Sequence, residues 1–284
     1  TGMEYTTIVN QNRRAFLKTL GCTCCAPFFL PSCTQVAITQ RNQLSIYPES
    51  VINQNANNAY QNIKKESKLS INKLHNRQLN TVGMRISKAV QIYFENIGKK
   101  ESLDNFDWEF ILIQDDSLNA WCMPGGKIAF YTGILDITKD EDGMAAVMGH
   151  EIAHAVAKHS VERASQAVLL NIGSTILDSV LDGALSASRV DDYVVQLGIN
   201  LPFGRLQESE ADYLGLIFMT LAGYDNTASI GVWERMQEAS KSRTPPEFLS
   251  THPTPGNRIK KLQQWIPEIN AKYTYCLLYT SPSP

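Results

Sequence analysis

The chain has 284 residues, a formal net charge of −2 and a charged fraction of 19%. This length allows one substantial hydrophobic core with small additions. The near-neutral charge leaves no basic footprint for nucleic acid, so we expect no nucleic-acid partner.

The amino-terminal segment, residues 1–33, has the pattern of an export signal. Arg13-Arg14-Ala15-Phe16-Leu17-Lys18 opens a short apolar run that ends at Leu30-Pro31-Ser32-Cys33. A basic start followed by a short, interrupted apolar stretch is typical of a signal rather than of a membrane span. The arginine pair resembles a twin-arginine signal, and the last four residues resemble a bacterial lipobox, in which Cys33 is lipidated. A mitochondrial-type presequence or an ordinary cleavable signal is the alternative interpretation.

The next segment, residues 34–68, is polar and rich in Asn and Gln. This composition favours a flexible connection, so we predict a tether between an anchor and a folded domain. The folded domain is predicted to cover 69–272. It begins with apolar residues at helical spacing from Ile71 to Tyr93, which indicate an amphipathic helix over about 70–97.

Extended segments follow this helix. Residues 108–114 alternate and then become apolar, which predicts a strand. Further on, a Pro-Gly-Gly turn at 124–126 separates two extended pieces within 119–131. A strand interrupted in this way is typical of a sheet edge, where backbone groups are free to pair with another chain. A plain hairpin is the alternative.

His150-Glu151-Ile152-Ala153-His154 is an H-E-x-x-H sequence inside an Ala- and Met-rich stretch, 141–165, that predicts a buried helix. Residues four apart lie on one helix face, so both imidazoles can point at one ion. Glu151 is placed to reach a water on that ion, which is the pattern of a zinc hydrolase. A core helix with two hydrogen-bonded histidines is the alternative.

An apolar stretch over 166–185 is interrupted by Asn171, Asp178 and Asp182. Polar residues at these positions disfavour a membrane span, so we predict an amphipathic core helix. A helix that faces a membrane or another subunit is the alternative.

A catalytic zinc site needs a third protein ligand and one position left for water. Glu208 and Asp212 share one face of a predicted helix, whereas Glu210 points elsewhere. A carboxylate there can bind zinc, and the aspartate one turn later can hold a ligand imidazole by its other nitrogen. Spacing alone leaves Glu208 and Glu210 as competing ligands, with a charged surface helix as the alternative.

These motifs together resemble the gluzincin peptidases of the HtpX-like and CAAX-prenyl-protease type. The resemblance covers about 70–270 and rests on the H-E-x-x-H sequence, Glu208-x-x-Ala211-Asp212, Asn119-Ala120 with Pro124-Gly125-Gly126, and Thr251-His252-Pro253 followed by Arg258. It implies an α+β, mainly helical fold: a zincin-like metallopeptidase domain with a small antiparallel sheet whose edge strand precedes the H-E-x-x-H helix. It also implies the small, single-domain lipoprotein branch, because no spanning helices follow the leader.

The resemblance implies one zinc ion per chain. The implied residues are His150, His154 and Glu208 for zinc, Glu151 and His252 for catalysis, and Asp212 and Arg258 around them. Glu151 would be the general base. His252 would either stabilise the oxyanion or occupy the open metal position as a reversible plug. His159 has no implied role and is predicted to be a packing residue.

The predicted function is zinc-dependent hydrolysis of peptide bonds in extended or misfolded exported proteins. Substrate would pair with the edge strand, whose candidate residues are Asn119, Ala120, Trp121, Cys122 and Met123. The protein would be a lipoprotein on the periplasmic side of a bacterial envelope, held at the membrane through Cys33. A chaperone-like assembly factor that binds unfolded clients with a closed zinc site is the rival prediction.

The carboxy-terminal part is predicted to contain helices over 227–240 and 255–266, packed around the site. Residues 273–284 depart from the rest of the chain in composition and resemble translated adaptor sequence. We therefore predict that they are a non-native tail.

Overall fold

The structure is a computed structural model that describes residues 33–46, 48–166, 203–241, 246–253 and 256–278. The predicted signal before Cys33, the predicted helix beyond Gln166 and the last residues of the predicted tail lie outside the described residues. In the described ranges, no helix has both the length and the apolar character that a bilayer crossing requires.

The strands are β1 (Cys33–Gln35), β2 (Asn42–Leu44), β3 (Glu109–Ile113), β4 (Ala120–Met123) and β5 (Lys127–Tyr131). The helices are α1 (Glu49–Glu66), α2 (Lys73–Asn96), α3 (Leu135–Thr138), α4 (Glu141–Val156), α5 (Arg205–Leu221), α6 (Ala228–Ala239), α7 (Glu247–Thr251) and α8 (Arg258–Leu278). Single 3-10 turns cover Lys100–Leu103 and Thr132–Ile134, and a further helical stretch covers 159–166. The mainly helical α+β fold with a small sheet is confirmed.

The central sheet has the strand order β3-β5-β4, which places β4 at an edge. β4 and β5 form an antiparallel hairpin whose turn uses Gly125 and Gly126 at positive φ. A Cβ at Gly126 would lie 2.8 Å from the Trp108 ring, so only glycine fits there. β3 runs parallel to β5, and the sheet is therefore mixed rather than antiparallel as predicted. The sequence pattern locates the strands but not their order in the sheet. β3 pairs directly with β5, although β4 lies between them in the sequence.

Side chains of the sheet alternate between two buried faces. One face joins the main core, which also includes apolar residues of α2, α4 and α5, through Phe110, Leu112, Ala120, Cys122, Ile128 and Phe130. The other face packs against α1 through Ile111, Ile113, Trp121, Met123 and Ala129.

Helix α1 lies inside the segment 34–68 that was predicted to be a polar tether, and this prediction was wrong. Ile52, Ala56 and Tyr60 recur every four residues and are buried, so they form one apolar stripe. The Tyr60 ring meets Trp121 of β4 edge-on with centroids 6.2 Å apart. Most of the Asn and Gln residues of this helix, such as Gln54, are exposed, whereas Asn53 and Asn55 are half-buried. Their number lowers the mean hydropathy of the segment and hides the stripe.

Helix α4 carries the H-E-x-x-H sequence and is buried from Gly143 to Val156. The side chain of Asp140 accepts a 2.8 Å hydrogen bond from the Gly143 N–H and caps the helix. Glu141 and Asp142 lie in the first turn, where negative charge is favourable. α4 packs closely along α5, with Gly149 against Gly215 at the crossing.

Helix α8 continues through the boundary that was predicted at residue 272. It contains Pro267 and ends at Leu278. Tyr273 is buried and its ring contacts that of Tyr93 with centroids 6.0 Å apart. The folded domain therefore includes at least the first residue of the predicted tail.

Candidate metal centre

Helices α4, α5 and α7 bring four side chains together near the middle of the protein. In the part of the chain that the structure describes, His150, His154, Glu208 and His252 form a buried group whose ligand atoms all lie within 4.8 Å of one another. The Nε2 atoms of His150 and His154 are 3.1 Å apart. Glu208 places Oε2 3.6 Å from the first and Oε1 3.3 Å from the second. The three zinc ligands that the family resemblance implies therefore lie around one point.

The chemistry of these side chains fits a zinc ion. Two imidazole nitrogens and one carboxylate oxygen form a donor set that zinc accepts in catalytic sites. Burial lowers the pKa of His154 well below its usual range, which favours the neutral imidazole. Burial alone would raise the pKa of Glu208, but His252, His154 and His150 outweigh it and hold this pKa well below normal. Neutral imidazole and ionised carboxylate are the forms that bind metal.

Glu151 lies beside this group and is held by the edge strand. Its Oε2 accepts a 3.1 Å hydrogen bond from the Cys122 N–H, and its Oε1 lies 3.4 Å from His252 Nε2. Burial raises the pKa of Glu151, the largest effect on this carboxyl group. A buried carboxylate with a raised proton affinity, next to the metal-binding atoms, is suited to accept a proton from water.

His252 closes the remaining side of the group. It follows the short helix α7, and its Nδ1 lies 3.0 Å from Glu208 Oε1 and 3.3 Å from His150 Nε2. The imidazole stacks with the rings of both Phe203 and Phe248, with centroid distances of 5.1 and 4.3 Å. These two rings hold His252 in the position from which it faces the metal-binding atoms.

Asp212 and Arg258 surround the group on the α5 side. Asp212 Oδ1 lies 3.0 Å from His150 Nδ1. Arg258 is 1% exposed and donates from Nε to Asp212 Oδ2 at 2.6 Å and from Nη2 to Glu208 Oε2 at 2.5 Å. Its guanidinium also lies 3.7 Å above the Trp233 ring. One arginine thus holds both the candidate ligand and the aspartate behind His150.

The edge strand β4 runs directly beside the group. The Tyr131 N–H donates to the Asn119 carbonyl at 3.1 Å, so Asn119 is a residue whose backbone bonds to β5. Backbone groups alternate in direction along a strand, and the N–H groups of Ala120 and Cys122 therefore point away from β5. Asn119 Oδ1 accepts from the Ala120 N–H at 2.9 Å, and Glu151 accepts from the Cys122 N–H. Both outward N–H groups therefore have side-chain partners, one of them the candidate general base.

A second buried network adjoins the group and was not expected from the sequence. His159 Nδ1 lies 2.9 Å from His154 Nδ1, and His159 Nε2 lies 3.0 Å from Glu210 Oε2. Arg41 donates from Nε to the same Glu210 oxygen at 2.6 Å, and the Thr39 hydroxyl donates to Oε1. Burial lowers the pKa of His159. Glu210 lies outside the group of metal-binding atoms, and His159 contacts a candidate ligand rather than only packing.

Comparison with known proteins places the chain among metallopeptidases. It is 40% identical over 175 residues to the mitochondrial metalloendopeptidase OMA1 of Schizosaccharomyces pombe, covering 60% of this chain and 50% of that protein. It is 30% identical over 176 residues to OMA1 of Homo sapiens, covering 58% and 34%. It is 28% identical over 160 residues to the beta-barrel assembly-enhancing protease of Escherichia coli, covering 54% and 33%.

The chain spans half the length or less of these curated relatives. A family-wide comparison matches residues 75–266 to peptidase family M48. This match includes the H-E-x-x-H helix, the edge strand and all four residues of the buried group. Since it extends over more than half of the sequence, the chain belongs to peptidase family M48.

Proposed function

We propose that this chain is a zinc-dependent metalloendopeptidase that hydrolyses peptide bonds in extended or misfolded proteins of the bacterial envelope. One observation carries the proposal: His150, His154 and Glu208 converge at a buried point beside Glu151, which is itself bonded to the edge strand. Membership of a peptidase family supports the same chemistry.

His150, His154 and Glu208 would hold one zinc ion. When bound, it supplies a water of lowered pKa and polarises the carbonyl of the scissile bond. Glu151 accepts a proton from the attacking water and delivers it to the leaving amine. Its raised pKa suits both steps, because the carboxyl group must first gain and then lose that proton.

The substrate binds as an added strand along β4, at residues 119–123. Backbone pairing of this kind tolerates varied sequences. Residues 119–123 are buried in the structure, and the Ala120 and Cys122 N–H groups have side-chain partners, so substrate pairing requires that this edge be uncovered. Because the Cys122 N–H is bonded to Glu151, substrate pairing at Cys122 requires that this hydrogen bond be exchanged. Substrate entry and release of the general base are therefore linked.

His252 acts as a reversible plug of the metal site. Its Nδ1 is as close to Glu208 as the candidate ligands are, so it can take the position that the attacking water needs. The rival role, stabilisation of the oxyanion, requires that His252 move off Glu208 when substrate binds. Removal of the imidazole separates the two roles, because loss of a plug raises activity whereas loss of an oxyanion donor lowers it.

The protein is held at the membrane through a lipid on Cys33, in the lipoprotein branch of its family. β1 begins at Cys33, and the following hairpin is bonded to the catalytic domain through Arg41. A lipid at this position would hold the catalytic domain directly against the membrane surface. The OMA1 relatives are named as mitochondrial, which makes a mitochondrial location the competing outcome. Radiolabelled lipid incorporated in bacteria into the chain, but not into Cys33→Ser, supports the anchor; no incorporation excludes it.

The activity is tested by incubating the purified protein with unfolded casein, with and without a zinc chelator. We expect cleavage that the chelator abolishes and that added zinc restores. Cleavage that persists in the chelator would contradict the proposal.

A chaperone-like assembly factor is the second candidate, and the closed state of the site favours it. All four side chains of the group are 2% exposed or less, and the E. coli relative is named as a protease that enhances beta-barrel assembly. An assembly factor would keep its function in Glu151→Gln, whereas a peptidase would lose it. Complementation of a deletion strain by Glu151→Gln therefore distinguishes the two.

A further inference from the structure

We infer that His159 and Glu210 are positioning residues that fix His154 in its metal-binding tautomer, and that Arg41 of the β1–β2 hairpin holds this pair in place. The inference rests on the proposed zinc site. It assigns a role to residues 33–46, which precede the catalytic domain, and to two side chains that do not touch the metal-binding point.

The direction of the hydrogen bonds is fixed at Glu210. An ionised carboxylate only accepts, so His159 Nε2 carries the hydrogen of its 3.0 Å contact with Glu210 Oε2. A neutral His159 then has a lone pair on Nδ1. The facing nitrogen, His154 Nδ1, is 2.9 Å away and must supply the hydrogen.

Because a neutral imidazole carries a hydrogen on only one nitrogen, a His154 that donates from Nδ1 has a lone pair on Nε2. That atom is the one that faces Glu208 Oε1, at 3.3 Å. In the opposite tautomer, Nε2 would carry a hydrogen and could not bind an ion. The network therefore selects the form of His154 that the metal requires before the metal arrives.

His150 has a comparable carboxylate neighbour, Asp212, although the two side chains do not form a hydrogen bond in the structure. Its Nδ1 lies 3.0 Å from Asp212, which accepts from Arg258. Behind each candidate imidazole ligand, on the side away from the metal-binding point, there is thus a carboxylate that is paired with an arginine. On the His154 side an additional imidazole, His159, stands between the ligand and its carboxylate.

Arg41 connects this arrangement to the amino-terminal hairpin. Its Nε donates to Glu210, while Nη1 and Nη2 form two bonds of 2.8 and 2.9 Å to Glu162. Glu162 also accepts from Gln207 of α5 at 2.8 Å. Two carboxylates, Glu162 and Glu210, therefore hold the guanidinium in its orientation. The hydroxyl group of Thr39, from the same hairpin, donates a hydrogen bond to the other oxygen of Glu210. Displacement of the hairpin would leave a buried carboxylate without its cation.

The first test uses the unmodified protein with its metal removed and its histidines labelled with ¹⁵N. Two-bond proton–nitrogen correlation spectra distinguish a protonated ring nitrogen from an unprotonated one. We expect His154 protonated at Nδ1 and His159 at Nε2. A metal-free His154 protonated at Nε2 would overturn the inference, and this result does not depend on the folding of any variant.

The second test compares zinc dissociation constants, measured by competition with a chromogenic chelator. His159→Phe and Glu210→Gln should each weaken zinc binding about 10–100-fold, as loss of an outer hydrogen-bond partner does. His159→Asn, whose side-chain oxygen can still accept from His154 Nδ1, should recover part of the loss. Glu238→Gln is the control, because Glu238 is an exposed carboxylate that pairs with Lys241 outside this network, and it should leave the constant unchanged.

Unchanged zinc binding in both His159→Phe and Glu210→Gln would overturn the inference while leaving the zinc site intact. A wild-type protein that binds no zinc would instead refute the proposed metal site. The two failures are therefore distinguishable.

Discussion

Gly149 of α4 lies directly against Gly215 of α5. A Cβ added at Gly149 would come within 2.9 Å of the Gly215 carbonyl oxygen, and one added at Gly215 would come within 2.9 Å of the His150 nitrogen. Backbone thus meets backbone, next to the first candidate ligand. This close approach allows His150 and His154 on one helix to share a point with Glu208 on the other.

Gly215→Ala should therefore damage both the fold and the metal site. The added methyl group meets backbone atoms, which cannot rotate away, so the two helices must separate. We expect a loss of about 1–3 kcal/mol in unfolding free energy, as for overpacking elsewhere, together with weaker zinc binding. Urea denaturation and chelator competition measure the two effects.

Gly231→Ala in α6 is the matched control for this substitution. There the new Cβ would meet the end of the flexible Arg235 side chain, which can shift. Alanine favours a helix interior over glycine, so this variant should be neutral or slightly stabilising. Equal behaviour of the two variants would show that the helix contact at Gly215 is unimportant.

Glu208→Gln should remove stoichiometric zinc from the purified protein. The amide lacks the charge that binds the ion, and it leaves Arg258 facing a neutral group. Glu210→Gln, two residues away, should still bind one zinc per chain when zinc is in excess. Metal analysis after equilibrium dialysis against excess zinc measures both variants. If Glu210→Gln alone lost its zinc under these conditions, the third ligand would be Glu210 instead of Glu208.

His252→Ala should raise basal proteolysis if the imidazole is a plug. The apparent activity of a site that opens part of the time is reduced by its open fraction, so a site open about a tenth of the time would gain about tenfold. Casein cleavage at saturating zinc measures the change. A fall in activity would instead assign oxyanion stabilisation to His252.

Tyr60→Ala should destabilise the domain, because α1 covers one face of the sheet rather than acting as a tether. Tyr60 is fully buried against Trp121, and loss of a buried aromatic ring costs about 3–5 kcal/mol. The control Gln54→Ala changes an exposed position of the same helix and should alter stability by less than about 0.5 kcal/mol. An equally small effect of Tyr60→Ala would instead support the prediction that this segment is a tether.

The sequence predicts those parts of the fold that depend on local spacing. The helix around the H-E-x-x-H sequence, α2 near 70–97 and the edge position of β4 all follow from periodicity and turn residues. Spacing also places Glu208 and Asp212 on one helix face, and both side chains face α4 in the structure. Each of these features lies within one element or one turn.

Features that depend on distant pairing could not be predicted. Arg41 and Glu210 are 169 residues apart, and nothing in either local sequence indicates that they meet. His159 had a signal, since it follows His154 closely, but its partner in Glu210 is visible only when α5 packs beside α4. The stripe of Ile52, Ala56 and Tyr60 was present at helical spacing but is surrounded by Asn and Gln.

The central claim is that a zinc ion held by α4 and α5 works with Glu151 to cleave peptide bonds. Its most direct test is the turnover of zinc-loaded Glu151→Gln, with zinc content measured on the same sample. We predict one zinc per chain and a loss of activity of about 10²–10⁴-fold, the usual contribution of a general base. Full turnover by the zinc-loaded variant would contradict the account.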